Sequence, residues 1–468
     1  MRIVLDVENT TQRRNNKWHL DPYEQGNFLV QVGMQNADKP GETHIVNIDH
    51  QEKKDTSGVG RKLVQDVLDL TKLLIMHNAQ HDMMWLWECG FKYDGAIYDT
   101  MLAEYILLRG QKLPLSLDGC AQRRQLDMQK QDTLKNYFKE GYNTNEIPLD
   151  ELSFYLRGDL DTTRELFHAI EADYAEPESK SLHTIRDVTF RTCKTLTRMY
   201  MSGIRVDRSA LDEVRLEFEQ EKAGIEDRLQ HQVRKIMGDT PINLNSPEQM
   251  SQVVFSCKVN DKKEWVELFE HTYNKKEFRA AVEANSTIIR RTKAFTCPTC
   301  QGEGKVYRIK KDGTKFARPN KCKDCDARGY QLKPLNYLAG LGFAAPSKKW
   351  VSANGFSTGK DNLDVLIGTA KTKKMDEAVA FLTDLKRLSA VSSYLSAFVE
   401  GIDTFTKSDG FLHVGLTQHI TATGRFSGRN PNMQNMPRGG TFPVKKVFVS
   451  RWKGGHILEA DFAQLEFR

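Results

Sequence analysis

Over residues 1–175, short apolar runs alternate with stretches of helical spacing, and this alternation limits the fold more than any other feature. Arg2–Val7 and Phe28–Gly33 read as strands, Leu73–Met76 is a short buried run, and Met83–Trp87 begins a helix. Strands mixed with helices predict an α/β layer. No run of 18 apolar residues occurs, so no membrane span is expected, and the charge at Asp6 argues against a signal peptide. Of eight cysteines, Cys89, Cys120, Cys193 and Cys257 are scattered and the rest form two close pairs. That pattern argues against a disulfide scaffold and for a reducing cytoplasm.

Pro177, in the acidic stretch Glu176-Pro177-Glu178-Ser179, is a predicted boundary. From about 181 to 400 the pattern is mostly helical. Asp207–Val233 is long and charged, with Leu211, Val214, Phe218 and Ile225 as its spaced apolar positions. Ser246 followed by Pro247 and Glu248 predicts a capped helix start, and helical spacing resumes at Asp376–Gly401. Strand-like runs return at Phe411–Leu416, Val447–Ser450 and Ile457–Asp461. The expected division is 1–175, then 181–410 with an insertion at 296–334, then 411–468.

Asp6 and Glu8 close the first strand two residues apart, so both carboxylates can reach one cation. In His77-Asn78-Ala79-Gln80-His81-Asp82, Asn78 could cap the next helix, with Asp82 a turn further in. Tyr155 and Asp159 are four apart and share a face if helical. Each signal is weak alone. Their order, Asp-x-Glu, Asn-x-x-x-Asp, Tyr-x-x-x-Asp, resembles the DEDD exonuclease superfamily in its 3′–5′ proofreading form. The resemblance implies a ribonuclease-H-like fold. It also implies two Mg²⁺ (or Mn²⁺) ions held by Asp6, Glu8, Asp82 and Asp159, and an attacking water oriented by Tyr155. Asp99 and Asp161 match positions often acidic in that family and read as supporting residues. The chemistry fits: hard cations take oxygen ligands, and two of them stabilise both oxygens of a phosphodiester displacement.

Thr421-Ala422-Thr423-Gly424-Arg425-Phe426-Ser427-Gly428 and Pro431-Asn432-Met433-Gln434-Asn435-Met436-Pro437 resemble a motif of family A (Pol I-like) DNA polymerases. By that resemblance Arg425, Gln434 and Asn435 touch the primer-template minor groove, where contacts check pair geometry without reading sequence. Ala460-Asp461-Phe462-Ala463-Gln464-Leu465-Glu466-Phe467-Arg468 resembles motif A, expected at the end of an Ile457–Ala460 strand. Asp461 would bind the palm metals, Glu466 would exclude a ribose 2′-hydroxyl, and Arg438 would touch the incoming triphosphate. Motifs B and C of the family do not occur in these 468 residues. The expected architecture is therefore an α/β ribonuclease-H-like exonuclease domain, a mainly helical thumb with a zinc-knuckle insertion and an incomplete α+β palm; the lack of a 5′ nuclease ahead of Asp6 is what the resemblance expects of phage-type members. Polymerization is then expected only with a complementary chain bearing fingers and motifs B and C. The alternative is a DNA-binding subunit of a split polymerase without catalysis of its own. Expected partners are a single-stranded 3′ end, primer-template DNA and a processivity factor; the expected location is the cytoplasm, of an infected host if the chain is phage-encoded.

Cys297, Cys300, Cys322 and Cys325 form C-x2-C-x21-C-x2-C, a spacing just beyond the usual zinc-ribbon range of about 15–20. Four thiolates suit a tetrahedral structural Zn²⁺. The glycines after each pair resemble the cysteine-rich knuckles of J-domain chaperones. Residues 286–350 hold 15 Lys/Arg against 4 Asp/Glu, a net +11 in a chain of net +6, so the remainder is net acidic. A basic, metal-stapled insertion could hold duplex DNA or a processivity partner.

Overall fold

The computed structural model describes residues 1–126, 133–237, 243–255, 292–310, 313–334, 341–343, 348–352, 355–437 and 442–461. The first strand, β1 (Arg2–Asn9), pairs antiparallel with β4 (Leu29–Asn36) and parallel with β6 (Leu73–Met76). The hairpin β2 (Gln12–Arg14) and β3 (Lys17–His19) lies between β1 and β4 in sequence. With β5 (Lys39–Asn47) and β7 (Ala96–Asp99) the five-stranded order is β5-β4-β1-β6-β7. The helices are α1 (Val59–Leu70), α2 (Ala79–Glu88), α3 (Thr100–Leu107), α4 (Leu117–Arg123), α5 (Thr133–Glu140) and the long α6 (Leu149–Ala175). The predicted α/β layer is present. Its α2 begins at Ala79, directly after Asn78, and takes in the helical run expected at Met83–Trp87.

The chain clusters into two units, Met1–Val214 with Ser396–Arg468, and Arg215–Leu395. The expected boundary at Pro177 is a single 3-10 turn (Pro177–Ser179) inside the first unit. The helix that follows it, α7 (Leu182–Ser202), buries Phe190 and Cys193 in the core of the α/β layer. An apolar helix face has to be covered, and here the neighbouring layer covers it. Strand Ile204–Val206 is flanked by Phe411–Leu412 and Phe448–Val449 in a three-stranded sheet. Lys407 fastens this part to the α/β layer. Its side chain is 3% exposed, and its ammonium donates to Asp21 (2.7 Å) and Glu24 (2.9 Å). A buried ammonium is tolerated only with such partners.

The predicted charged helix (Arg208–Met237 in full) lies from Arg215 onward in the second unit and buries Phe218 and Ile225 there. Bidentate pairs Arg228–Asp384 and Arg387–Glu221 tie it to helix Asp376–Tyr394. Ser246 caps helix Pro247–Val254 as expected, its hydroxyl accepting from Gln249 N–H. Strands Thr292–Thr296 and Tyr330–Pro334 pair antiparallel and frame the cysteine insertion.

Candidate metal centres and nucleic-acid motifs

Strand pairing decides which side chains meet. Asp6 lies opposite Gly33, and Glu8 opposite Gln31. Directly opposed residues share a face, so Asp6, Glu8, Gln31, Gly33 and Gln35 all face α6. Gln31 donates to Ser153 (2.9 Å) and Gln35 to Asp161 (2.7 Å). Between them Gly33 lets the helix close in: a Cβ there would lie 2.8 Å from Leu160 Cδ1 and 2.9 Å from Leu156 Cγ. Docked in this way, α6 delivers Tyr155 and Asp159 to the strand end.

Carboxylate oxygens of Asp6, Glu8 and Asp159 lie within 4.8 Å of one another. Such crowding is costly without a counter-cation. Burial first, then Asp159, push the Asp6 carboxyl up to about 7, against hydrogen bonds from Val7 and Asp82. Glu8 is pushed well up by burial and by Asp6 and Asp159. Three crowded oxygen donors whose charged forms are disfavoured fit a hard divalent cation such as Mg²⁺ or Mn²⁺. The Tyr155 hydroxyl hydrogen-bonds Asp159, and burial, then that carboxylate, raise its pKa, so it stays a neutral phenol.

Asp82 stands behind this group. It is 2% exposed, its Oδ1 accepts from Val7 N–H at 3.2 Å, and its side chain hydrogen-bonds Asp6. It is not one of the three converging acids. Asn78 does sit at the N-cap of α2, but with φ 70° and no side-chain cap bond. Asp99 does the capping instead, accepting from Asn78 N–H (3.2 Å), Ala79 N–H (2.8 Å) and Leu102 N–H (3.1 Å). One carboxylate thereby caps both α2 and α3. Burial raises its pKa to about 6 against those bonds. Asp161 is likewise a docking residue, through Gln35.

Valine at position 33 would force those two leucines away. Overpacking of this kind costs about 1–3 kcal/mol. Gly33→Val is expected to lower the melting temperature and to reduce exonuclease rate together, because α6 carries Tyr155 and Asp159 outward. Thermal melts and digestion assays on the same preparation test this; a normal rate in a destabilised variant would separate docking from site geometry.

The four cysteines of the insertion converge as well. All are buried, with sulfur separations of 3.9 Å for Cys297–Cys322 and 3.5 Å for Cys300–Cys325. A disulfide needs sulfurs at about 2.05 Å, whereas four ligands 2.3 Å from a tetrahedral zinc stand about 3.8 Å apart. The donor set and spacing fit zinc. Gly304 and Gly329 N–H groups donate to the sulfurs of Cys300 and Cys325, each at 3.3 Å. These two glycines have φ +71° and +80°, and a Cβ on either would strike the opposite knuckle's backbone at 2.4 and 2.3 Å. That contact is why glycine follows each pair.

Residues 19–174 match the 3′–5′ exonuclease family, and residues 336–468 match DNA polymerase family A. This chain carries a 3′–5′ exonuclease domain and a family A DNA polymerase region. Over its full length it is 26% identical to the DNA polymerase of Bacillus phage SP01, of which it spans 47%. It is 23% identical over 84% of its length to DNA polymerase I of Chloroflexus aurantiacus, spanning 32% of that protein. The fold resembles the POL domain of Pol1 from M. smegmatis, solved with DNA primer-template and dNTP. The TM-score is 0.54 at 17% identity, over 95% of this chain and 53% of that one.

In the polymerase region Arg425, Gln434 and Asn435 are exposed. Gln434 Oε1 accepts from Gly428 N–H at 2.7 Å, fixing the side chain while leaving its amide N–H donors for an outside acceptor. Residues 457–461 do not form the expected strand. They have no secondary structure and no pairing partner among the described residues; Leu458 is 91% and Ile457 50% exposed. An apolar run becomes a strand only with a neighbour to bond. Asp461 is exposed and belongs to neither metal-competent group. Glu466 and Arg438 lie outside the described residues.

Sequence reasoning missed Gln31, Gly33 and Gln35, the three residues that dock α6. Their signal was available: polar or small residues at every second position of an otherwise apolar strand. Lys407 left no comparable signal, because its partners lie more than 380 residues away in sequence.

Proposed function

We propose that the exonuclease domain removes nucleotides from a single-stranded 3′ end in a reaction that depends on divalent metal ions. The observation that carries this reading is the convergence of Asp6, Glu8 and Asp159 carboxylates within 4.8 Å. These three would hold Mg²⁺ or Mn²⁺, with Asp82 as a ligand or as the residue that fixes Asp6. The metal, when bound, supplies charge stabilisation for the attacked phosphodiester and acidifies a water. The protein's own part is positional. The α6–β4 contact sets the spacing of the acids, and the neutral Tyr155 hydroxyl, which donates to Asp159, orients a water by accepting a hydrogen bond from it. The test is Mg²⁺-dependent nucleotide release from a 3′ end; release only from 5′ ends would reject it.

Tyr155→Phe keeps the acids and loses the orienting hydroxyl. The expected rate loss is roughly ten- to a hundredfold, the scale of a misplaced reactant, with metal affinity retained. Single-turnover rates across a Mg²⁺ titration measure both. A wild-type rate would remove Tyr155 from the mechanism.

The family A region is read as the DNA-binding part of a polymerase. Arg425, Gln434 and Asn435 meet the minor groove of primer-template DNA, and Asp461, Glu466 and Arg438 serve the palm with a complementary set of fingers and palm residues. The alternative is a subunit that binds DNA without catalysis of its own. The cysteine insertion is read as a structural zinc site. Elemental analysis is expected to find about one zinc per chain in protein purified without chelator. Stripping the zinc should unfold the insertion while the exonuclease domain keeps its melting transition.

A further inference from the structure

The residues between the two cysteine pairs form a two-stranded ribbon. Lys305 pairs with Lys321, Val306 with Asn320 and Ile309 with Lys315. Two backbone bonds, Phe316 N–H to Arg308 O (2.9 Å) and Lys310 N–H to Thr314 O (2.8 Å), carry the ribbon toward its tip. Its root is fixed at the sulfur cluster, where Cys322 N–H donates to Gly304 O at 2.9 Å.

The ribbon exposes what a soluble protein usually covers. Ile309 is 68% exposed, and Tyr307 and Phe316 about 40%. Alternation splits the side chains between two faces. On one face the Arg308 guanidinium stands 5.3 Å and the Lys310 ammonium 5.7 Å from the Phe316 ring centroid. On the other, Lys315 stands 5.5 Å from the Tyr307 ring, beside Ile309. Residues 305–321 hold seven Lys/Arg and one acid. Among the described residues, no carboxylate pairs with Arg308, Lys310 or Lys315.

We propose that this ribbon grips duplex DNA by entering the major groove, its cations meeting the phosphates of both walls. The charge selects a polyanion: the exposed cations stack on the ribbon's own rings, meet no carboxylate among the described residues, and leave a net positive surface that a phosphate backbone matches. Cations on both faces select a partner that flanks the ribbon on two sides. A single strand would engage one face, and a groove about 12 Å wide admits a two-stranded ribbon. Tyr307, Ile309 and Phe316 then give apolar contact to base edges and sugars without reading sequence. The sulfur cluster acts by holding the ribbon root rigid.

The proposal rests on the reading that the chain acts on DNA, which 3′-end digestion of a single-stranded oligonucleotide tests separately. The experiment is fluorescence anisotropy with a labelled duplex over a salt series, without added divalent metal so that the strand survives. The full chain is compared with R308A/K310A/K315A. The slope of log affinity against log salt is expected to fall by roughly two to three units, about 0.9 per lost phosphate contact. Duplex affinity should drop about tenfold or more. Single-strand digestion and zinc content, as controls on folding, should be unchanged. If the triple variant loses zinc, K315E alone carries the test, with a slope reduced by about one or more. An unchanged slope with zinc retained overturns the proposal. So does an equal loss for single strands, or a loss confined to a bound protein partner.

Discussion

Asp6→Asn is expected to abolish exonuclease activity while leaving the domain folded. Asparagine keeps the shape and removes the charge that would hold the cation, so the loss should reach at least about a thousandfold, the several kcal/mol of charge stabilisation the metal supplies. Asp159→Asn should behave alike. The stability effect has the opposite sign. The metal-free fold raises the Asp6 carboxyl to about 7, mainly through burial and then through Asp159. The folded state therefore keeps a proton that the unfolded chain has released, across the window from the usual carboxylate range to about pH 7. Stability without metal falls as pH rises through that window. Asp6→Asn should flatten this fall and raise the metal-free melting temperature at pH 8. For the same reason, the wild type should need more Mg²⁺ at pH 6 than at pH 8, because the cation must displace protons. Digestion rates over a grid of pH and Mg²⁺, with melts in chelator-free, metal-free buffer, measure all three effects. A fully active Asp6→Asn protein would remove the cluster from the mechanism.

A protein of these 468 residues alone is expected not to extend a primer, even with Mg²⁺ and all four nucleotides. Two-metal phosphoryl transfer needs the attacking and leaving oxygens clamped together, and cations over the triphosphate where charge builds up. Among the described residues, Asp461 is exposed and unaccompanied, and segment 457–461 has no strand to pair with. Adding a chain that carries motifs B and C should restore extension by supplying both the second carboxylate and a pairing edge. Asp461→Ala in this chain should then abolish the restored activity. Gel assays with the separate and mixed chains read the outcome directly; templated extension by the 468 residues alone would refute the requirement.

The local chemistry is legible in the residues alone. Residue types at fixed short spacing report on one element at a time, so Asp6 with Glu8, Tyr155 with Asp159, Ser246 before Pro247 and the paired cysteines were all legible. Each depends on a strand period of two, a helix turn of about four, or a tight knuckle. Relations between elements distant in the chain emerge with the fold. Asn78 looked like a cap from its neighbours, but Asp99, on the next strand, holds those N–H groups. Asp82 looked equivalent to the other acids, but its Oδ1 accepts from Val7 N–H and it is not among the three oxygens that converge. Gly33 reads only as the end of the predicted strand Phe28–Gly33, and the approach of Leu156 and Leu160 gives it a purpose. The Ile457–Asp461 run had strand composition, yet its backbone finds no partner among the described residues. Side-chain spacing is written into one segment of sequence. Pairing, capping across elements and close approach are free-energy terms shared by two segments, and neither segment alone specifies them.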